Sequence, residues 1–320
     1  MNRTSFQLTR RLARSPATLW ELIDSCDGPI LASYQACQDL VAAGTVEFAG
    51  GRFALTEQGR AEYGLFFREG FGEELARYEE IVREVPPSST DFFQQRIRTP
   101  DLFRRIEFMY ERGDLADRRV FILGDDDYLS IALALIGLAR RITVVEIDTR
   151  ITSFIERTAS RLGLEVEVSV YNAADPLPAE LTGRFDTFVT DPVETSKGFT
   201  TTMSRGFAAL RHPGAVYFGL TEIECPPQRW YEFQGMFHRA GLVVTDIIRD
   251  HTRYLDDPDN DPSSFALLRR SPFPVGSLPD YGWYRSSFYR LITVRTPEPP
   301  IKGKIPFDSS FYQDEFVMTL

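Results

Sequence analysis

The sequence predicts an α/β chain: a Rossmann-like, methyltransferase-type doubly wound sheet, preceded by a small N-terminal winged-helix domain. Three observations carry this. From residue 118 onward, apolar runs of strand length alternate with helix-length segments, the pattern of a parallel sheet wrapped by helices. The first run, Val120-Phe121-Ile122-Leu123, enters a turn at Gly124 and then a helix, as the ligand site of such a sheet begins. Before this region lie short amphipathic helices and a hairpin with a two-glycine turn.

In chain order, Ser15-Pro16 reads as a helix N-cap followed by proline at the first helical position. Leu19, Trp20, Leu22 and Ile23 supply that helix's apolar stripe. A second helix spans about 31–43, with Tyr34, Cys37, Leu40 and Val41 on one face and Gly44 ending it. Val46-Glu47-Phe48 and Phe53-Ala54-Leu55 alternate around Gly50-Gly51 as a hairpin wing, and Thr56 starts another helix. This gives a winged-helix domain over 1–65. A charged helical connector, broken by Pro86-Pro87, fills 66–117, and its residues 91–98 are placed to fold over a site. The sheet domain, 118–295, takes strands at 120–123, 142–147, 166–170, 187–190, 216–220 and 242–248. Helices fall at 129–138, 150–162 and 230–240. Residues 289–294 read as a final antiparallel strand closing the sheet, and 296–320 as a loose tail, proline-rich and then aromatic.

Composition narrows the function. A formal charge of -10 argues against a nucleic-acid coat and suits a polycationic small molecule. Cys26, Cys37 and Cys225 are unclustered and form no Cys-x-x-Cys pair, which fits a reduced, cytoplasmic setting. His212, His238 and His251 have no ligand spacing, so no metal is expected. No apolar run reaches the roughly 18 residues of a membrane span, and the N-terminal arginines precede no signal-peptide core.

The turn Gly124-Asp125-Asp126-Asp127 is the most specific feature. Dinucleotide sites continue with more glycines, so that backbone can approach a pyrophosphate. Three aspartates would repel an anion and attract a cation, such as a sulfonium that also carries an amine, or a polyamine. The second strand ends Val145-Glu146-Ile147-Asp148, where an acid suits the vicinal hydroxyls of a ribose; Glu146 is the first choice and Asp148 the second. After the third strand, Asn172 has the donor and acceptor to pair with an adenine edge, or to make a plain Asx turn. The fourth strand ends Thr190-Asp191-Pro192-Val193-Glu194, beside the topological switch point. Asp191 and Glu194 are expected to face the same cleft as Asp125, Asp126 and Asp127.

This ordered set resembles the branched-chain polyamine synthases, also called N(4)-bis(aminopropyl)spermidine synthases. The resemblance lies in Gly124-Asp125-Asp126-Asp127 and the apolar helix Ser130-Ile131-Ala132-Leu133-Ala134-Leu135. It extends to Val145-Glu146-Ile147-Asp148, Phe185-Asp186, Asp191-Pro192 and Tyr217-Phe218-Gly219-Leu220-Thr221. Spermidine synthases are similar at greater distance, with Glu-Ile-Asp after the second strand and a catalytic aspartate where Asp191 stands. One departure is Val193, where a second proline is expected.

The resemblance implies transfer of an aminopropyl group from decarboxylated S-adenosylmethionine, a co-substrate rather than a bound cofactor, to a polyamine such as spermidine. The other product is 5′-methylthioadenosine. It implies Asp127 and Asp191 as candidate bases for the attacking amine. Asp125, Asp126 and Glu194 would bind cationic substrate ends, together with the acidic loop at 255–262. Gly124, Glu146, Asp148 and Asn172 would hold the adenosine part. A homodimer is expected.

Two rivals remain. A nucleic-acid N-methyltransferase would carry Asp-Pro-Pro-aromatic after the fourth strand, where this chain has Val193 and Glu194. A polyamine-sensing winged-helix regulator would need a basic recognition helix, and Gln35, Gln38 and Asp39 are not basic.

Overall fold

The structure, a computed structural model, describes residues 2–255, 266–276 and 279–317. The chain divides into two compact units. The first comprises Met1–Gly72 with Ile106–Asp117, and the second Glu73–Arg105 with Arg118–Leu320.

The first unit opens with a helix absent from the sequence reading, Arg3–Arg14, capped by the Asn2 side chain. Its four arginines mask an apolar stripe in which Phe6, Leu8 and Leu12 are buried. The helix expected to start at Ser15-Pro16 begins later, as Leu19–Asp24. Thr18 is its cap, in a reciprocal capping box with Glu21. The reason is that Ala17 exchanges two backbone hydrogen bonds with Phe53, which keeps this stretch extended. Helix Ile30–Ala42 follows, then strands β1 (Val46–Ala49) and β2 (Arg52–Leu55) and helix Glu57–Tyr63. Gly50 and Gly51 join β1 to β2 at φ +59° and +77°, values an Asn-Gly or Gly-Gly turn adopts without strain. Leu8, Leu12, Leu22, Ala36, Leu40, Val46 and Leu55 form one small core.

The second unit is built on a seven-stranded sheet. Its strands are β3 (Arg119–Leu123), β4 (Arg141–Glu146), β5 (Glu167–Val170), β6 (Phe185–Thr190), β7 (Leu210–Leu220), β8 (Leu242–Arg253) and β9 (Arg285–Thr293). They lie in the order β5-β4-β3-β6-β7-β9-β8. The first five are parallel, and β9 is antiparallel to both β7 and β8. The sheet is therefore mixed, with β9 antiparallel as residues 289–294 were expected to be, but β9 lies between β7 and β8 instead of closing an edge. Burial explains the insertion. Residues 286–291 of β9 are buried without a break, so β9 needs neighbours on both sides, whereas β8 alternates and tolerates the edge.

A helix missed in the sequence, Ser196–Ala209, connects β6 to β7. Its threonines, serines and glycines weaken the helical signal, yet Phe199, Met203 and Phe207 recur every four residues and enter the core. The same core takes Phe121, Phe188 and Phe218 from one face of the sheet, and Phe237 from the helix Pro227–Ala240. No helix among the described residues is long and apolar enough to cross a membrane.

Candidate active site

The order β4-β3-β6 places the topological switch between β3 and β6. Register then sets the level of the site. Leu123 pairs with Val145 on one side and Thr190 on the other. Gly124, Glu146 and Asp191 are each the next residue, so all three emerge together at the C-terminal lip. The Thr190 hydroxyl donates to the Leu123 carbonyl at 2.8 Å and ties the two strand ends. Gly124 sits at φ +75°, a left-handed conformation that glycine takes freely. Four residues on, Tyr128 holds φ +52° at the start of the helix Leu129–Ile136, an uncommon state for an aromatic residue.

Glu146 anchors the turn. One carboxylate oxygen accepts from the Asp125 N–H at 3.0 Å, the other from the Asp148 N–H at 2.8 Å. The three aspartates then diverge. Asp125 points down and accepts from the Ser130 N–H in the first turn of the helix. Asp126 borders the cavity and accepts from the Gln95 N–H at 3.1 Å. Asp127 is buried behind it, accepting from the Ile97 N–H at 2.6 Å, while its own carbonyl accepts from the Tyr78 hydroxyl. Residues 95–97 are presented for this by an isolated bridge between Ile97 and Tyr254.

Across the cavity, one Asp191 oxygen accepts from Arg105 Nη1 at 3.2 Å and from the Tyr254 hydroxyl at 3.1 Å. Arg105 is itself buried, bonded to Thr252 and Ser286 and lying 4.9 Å over the Phe288 ring. Gly219 makes the room, since a Cβ there would stand 2.0 Å from the other Asp191 oxygen. Further along the wall, Glu194 accepts from the Thr221 N–H at 2.6 Å, and Glu224 from the Tyr284 hydroxyl at 2.6 Å.

The electrostatics follow from this crowding. Burial, with the neighbouring Asp127, Glu146 and Asp191 charges, raises the Asp126 carboxyl well above the ordinary range. Burial and the Asp191 charge push Asp127 up to about 7, against the pull of Arg105. Burial and the Glu224 charge raise Glu194 in the same way. Five carboxylates, Asp126, Glu146, Asp191, Glu194 and Glu224, line the cavity, and no Lys, Arg or His among the described residues does.

Aromatic side chains form another part of the wall. Phe93, from the segment after Pro86-Pro87, stacks on Tyr312 with centroids 4.9 Å apart and planes within 6°. Phe307 and Phe311 continue this wall. The tail expected to be loose is thus packed: Phe311 and Val317 are buried and give it apolar anchors.

Of the residues expected at the site, Gly124, Asp126, Glu146, Asn172, Asp191 and Glu194 border one cavity, and Asp125, Asp127 and Asp148 do not. Asp148 caps the helix Thr149–Leu162. Despite its burial, hydrogen bonds from Arg150 and Gln94 hold its carboxyl below the ordinary range. The Asn172 side-chain oxygen accepts from the Ala174 N–H at 2.9 Å, an Asx turn at the cavity edge. The loop with Asp256, Asp257, Asp259 and Asp261 lies outside the described residues. Sequence reasoning missed Arg105, Glu224, Tyr254, Tyr284 and Tyr312. Their signal was weak because each comes from a segment remote from the glycine turn.

Fold and site together define a transferase of the open α/β-sheet class, with a cavity shaped for a flat group at one end and cations at the other. The branched-chain polyamine synthase A C-terminal domain model matches residues 73–319. The N(4)-bis(aminopropyl)spermidine synthase of Thermococcus kodakarensis is 33% identical over 93% of this chain and 89% of its own length. The synthase of that name from Methanocaldococcus jannaschii is 32% identical over 86% and 83%. The crystal structure of the branched-chain polyamine synthase from Thermus thermophilus contains N4-aminopropylspermidine and 5′-methylthioadenosine. It superposes with a TM-score of 0.73 at 27% identity, covering 99% of this chain and 93% of that one. The chain belongs to the branched-chain polyamine synthase family.

Proposed function

We propose that this chain transfers the aminopropyl group of decarboxylated S-adenosylmethionine to spermidine, giving a branched polyamine and 5′-methylthioadenosine. The observation that carries the reading is the cavity lined by five carboxylates and, among the described residues, no basic side chain. The donor brings a sulfonium and an ammonium, and the acceptor brings several ammonium groups. A donor that kept its carboxylate would place an anion among these acids, and that repulsion excludes it.

The adenosine part belongs at the β3–β5 end. Glu146 receives the ribose hydroxyls, the Asn172 loop meets the base edge, and Phe93 with Tyr312 covers a flat ring. The acceptor belongs at the β6–β7 end, where Glu194 and Glu224 neutralise its cationic arms. Between them lie Asp126 and Asp191, with Asp127 behind. The acceptor amine uses its lone pair to attack the aminopropyl carbon bonded to sulfur. The C–N bond forms as the C–S bond breaks, the bonding pair stays on sulfur, and a neutral thioether leaves. The amine proton passes to the carboxylate cluster. Asp191 touches the cavity, and Asp127 titrates near neutrality, where a general base is most effective.

The test is to incubate the protein with spermidine and each donor, then read product masses. A mass increase of one or two aminopropyl groups, with 5′-methylthioadenosine, is expected from the decarboxylated donor only. Methyl transfer from the carboxylated donor would overturn the reading.

Residues 1–65 are read as a winged-helix module that pairs two copies of the chain rather than binding nucleic acid. The helix Ile30–Ala42 carries no Lys or Arg and exposes Leu31, Tyr34 and Val41 at helical spacing. Sedimentation of Leu31→Glu tests it: a dimer that survives the charge, or a DNA shift by the parent protein, would refute this role. Unpaired cysteines support a cytoplasmic setting.

A further inference from the structure

Two buried guanidinium groups have no part in the chemistry above, and both grip the C-terminal tail. Arg205, in the helix Ser196–Ala209, is 1% exposed. Its Nε donates to the Ala173 carbonyl at 2.9 Å, its Nη1 to Ile301 at 3.0 Å and its Nη2 to Gly303 at 2.7 Å. These partners are all main-chain oxygens, so the charge is placed for its fork geometry. One side of the fork holds the loop after β5, where Tyr171, Asn172 and Ala173 border the cavity. The other holds the tail just before Phe307, Phe311 and Tyr312. The Ser204 hydroxyl reinforces the grip by accepting from the Ile301 N–H at 3.2 Å.

Arg229, in the helix Pro227–Ala240, repeats the arrangement at the other end. Its Nη1 donates to the main-chain carbonyls of Glu194 at 2.9 Å and Glu224 at 3.3 Å. Its Nη2 meets the Asp314 carboxylate at 2.6 Å, and the guanidinium lies 5.0 Å from the Phe316 ring. One side chain therefore fixes the spacing of two wall acids and pins the tail beside them.

We propose that Arg205 and Arg229 are positioning residues that divide the tail's hold on the site: Arg205 sets the pocket half served by Glu146, and Arg229 the half served by Glu224. That these halves take donor and acceptor, respectively, rests on the proposed function. A misplacement of one wall by a fraction of an ångström weakens the substrate held there and spares the other.

The experiment measures both Michaelis constants and kcat for Arg205→Lys, Ser204→Ala, Arg229→Lys and Asp314→Asn. Glu146→Gln and Glu224→Gln serve as references for the two halves. Arg205→Lys and Ser204→Ala are expected to raise the same Michaelis constant as Glu146→Gln. Arg229→Lys and Asp314→Asn should raise the one that Glu224→Gln raises. About tenfold is expected for the lysine variants, the order for losing one charged hydrogen bond, and less for the mild ones. The second constant should stay within about twofold, as uniform binding losses at one subsite require. Ser204→Ala and Asp314→Asn leave the arginines in place and decide the matter if a lysine variant does not fold. A purely structural role would lower the melting temperature and leave both constants unmoved or shift them together, and either result overturns the proposal. If the references themselves fail to separate donor from acceptor while each arginine still follows its reference, the proposal stands and the substrate assignment falls.

Discussion

Asp127→Asn separates what the acidic turn does for stability from what it does for turnover. Burial, then the charge of Asp191, holds the native Asp127 carboxyl at about 7. In the unfolded chain the same carboxyl titrates near its ordinary value of about 3.9. Between these values the native protein keeps a proton that the unfolded chain has lost, so stability falls as pH rises through this window. Above it both states are ionised, and the native one carries the whole penalty. A displacement of roughly three pH units at 1.36 kcal/mol each comes to about 4 kcal/mol. Asparagine has the same shape, and its amide oxygen can still accept from the Ile97 N–H. The variant is therefore expected to match the parent near pH 4 and to exceed it at pH 8 by up to about 4 kcal/mol, while losing activity. Urea unfolding without ligand, at several values from pH 4 to pH 8, measures the difference. Spermidine should stabilise the parent more than the variant at pH 8, because a cation relieves the repulsion that the substitution has already removed. A variant no more stable at pH 8, or a gain that does not grow with pH, would refute the reasoning.

Three further outcomes are expected. Asp191→Asn removes the charge paired with Arg105 and is expected to lower kcat by about 10²–10⁴-fold at saturating substrates, with donor affinity largely kept. Glu146→Ala should weaken 5′-methylthioadenosine binding, measured by calorimetry, by about 1–3 kcal/mol; unchanged affinity would place the ribose elsewhere. Gly219→Ala puts a methyl group 2.0 Å from the Asp191 carboxylate, so activity should fall toward that of Asp191→Asn with circular dichroism unchanged. Full activity in this variant would mean that the Asp191 position is not critical.

The parts of this site written in contiguous residues were legible in the sequence. Gly124 through Asp127 and Asp191 directly follow strands and Glu146 ends one, and strand ends in parallel register must meet. The parts assembled from afar were not. Arg105 reads as one more charge on an amphipathic helix, and only its hydrogen bonds to Thr252 of β8 and Ser286 of β9 hold it as the partner of Asp191. Tyr254 and Tyr284 flank a long insertion with no local motif, yet their hydroxyls meet Asp191 and Glu224. The three aspartates looked equivalent, but a turn that passes through left-handed Gly124 and Tyr128 sends consecutive side chains in different directions. The helix Ser196–Ala209 was hidden by its polar residues, although its phenylalanines are central to the core.

The insertion of β9 between β7 and β8 bears on how the molecule is made. β7 is buried along most of its length, and its outer edge pairs with nothing until residues 285–293 are available. During synthesis, about sixty-five residues must leave the ribosome after β7 before its partner appears, and β8 emerges in that interval with the wrong neighbour beside it. A direct β7–β8 pairing would be parallel, competitive and non-native. Pairings so distant in sequence form slowly because the loop must close before any contact rewards it. An apolar edge left open for that time is a template for other chains. The step that completes the sheet is then the one at which yield is decided. Slower elongation or a lower temperature should favour the native chain over aggregate more than any change at the site itself.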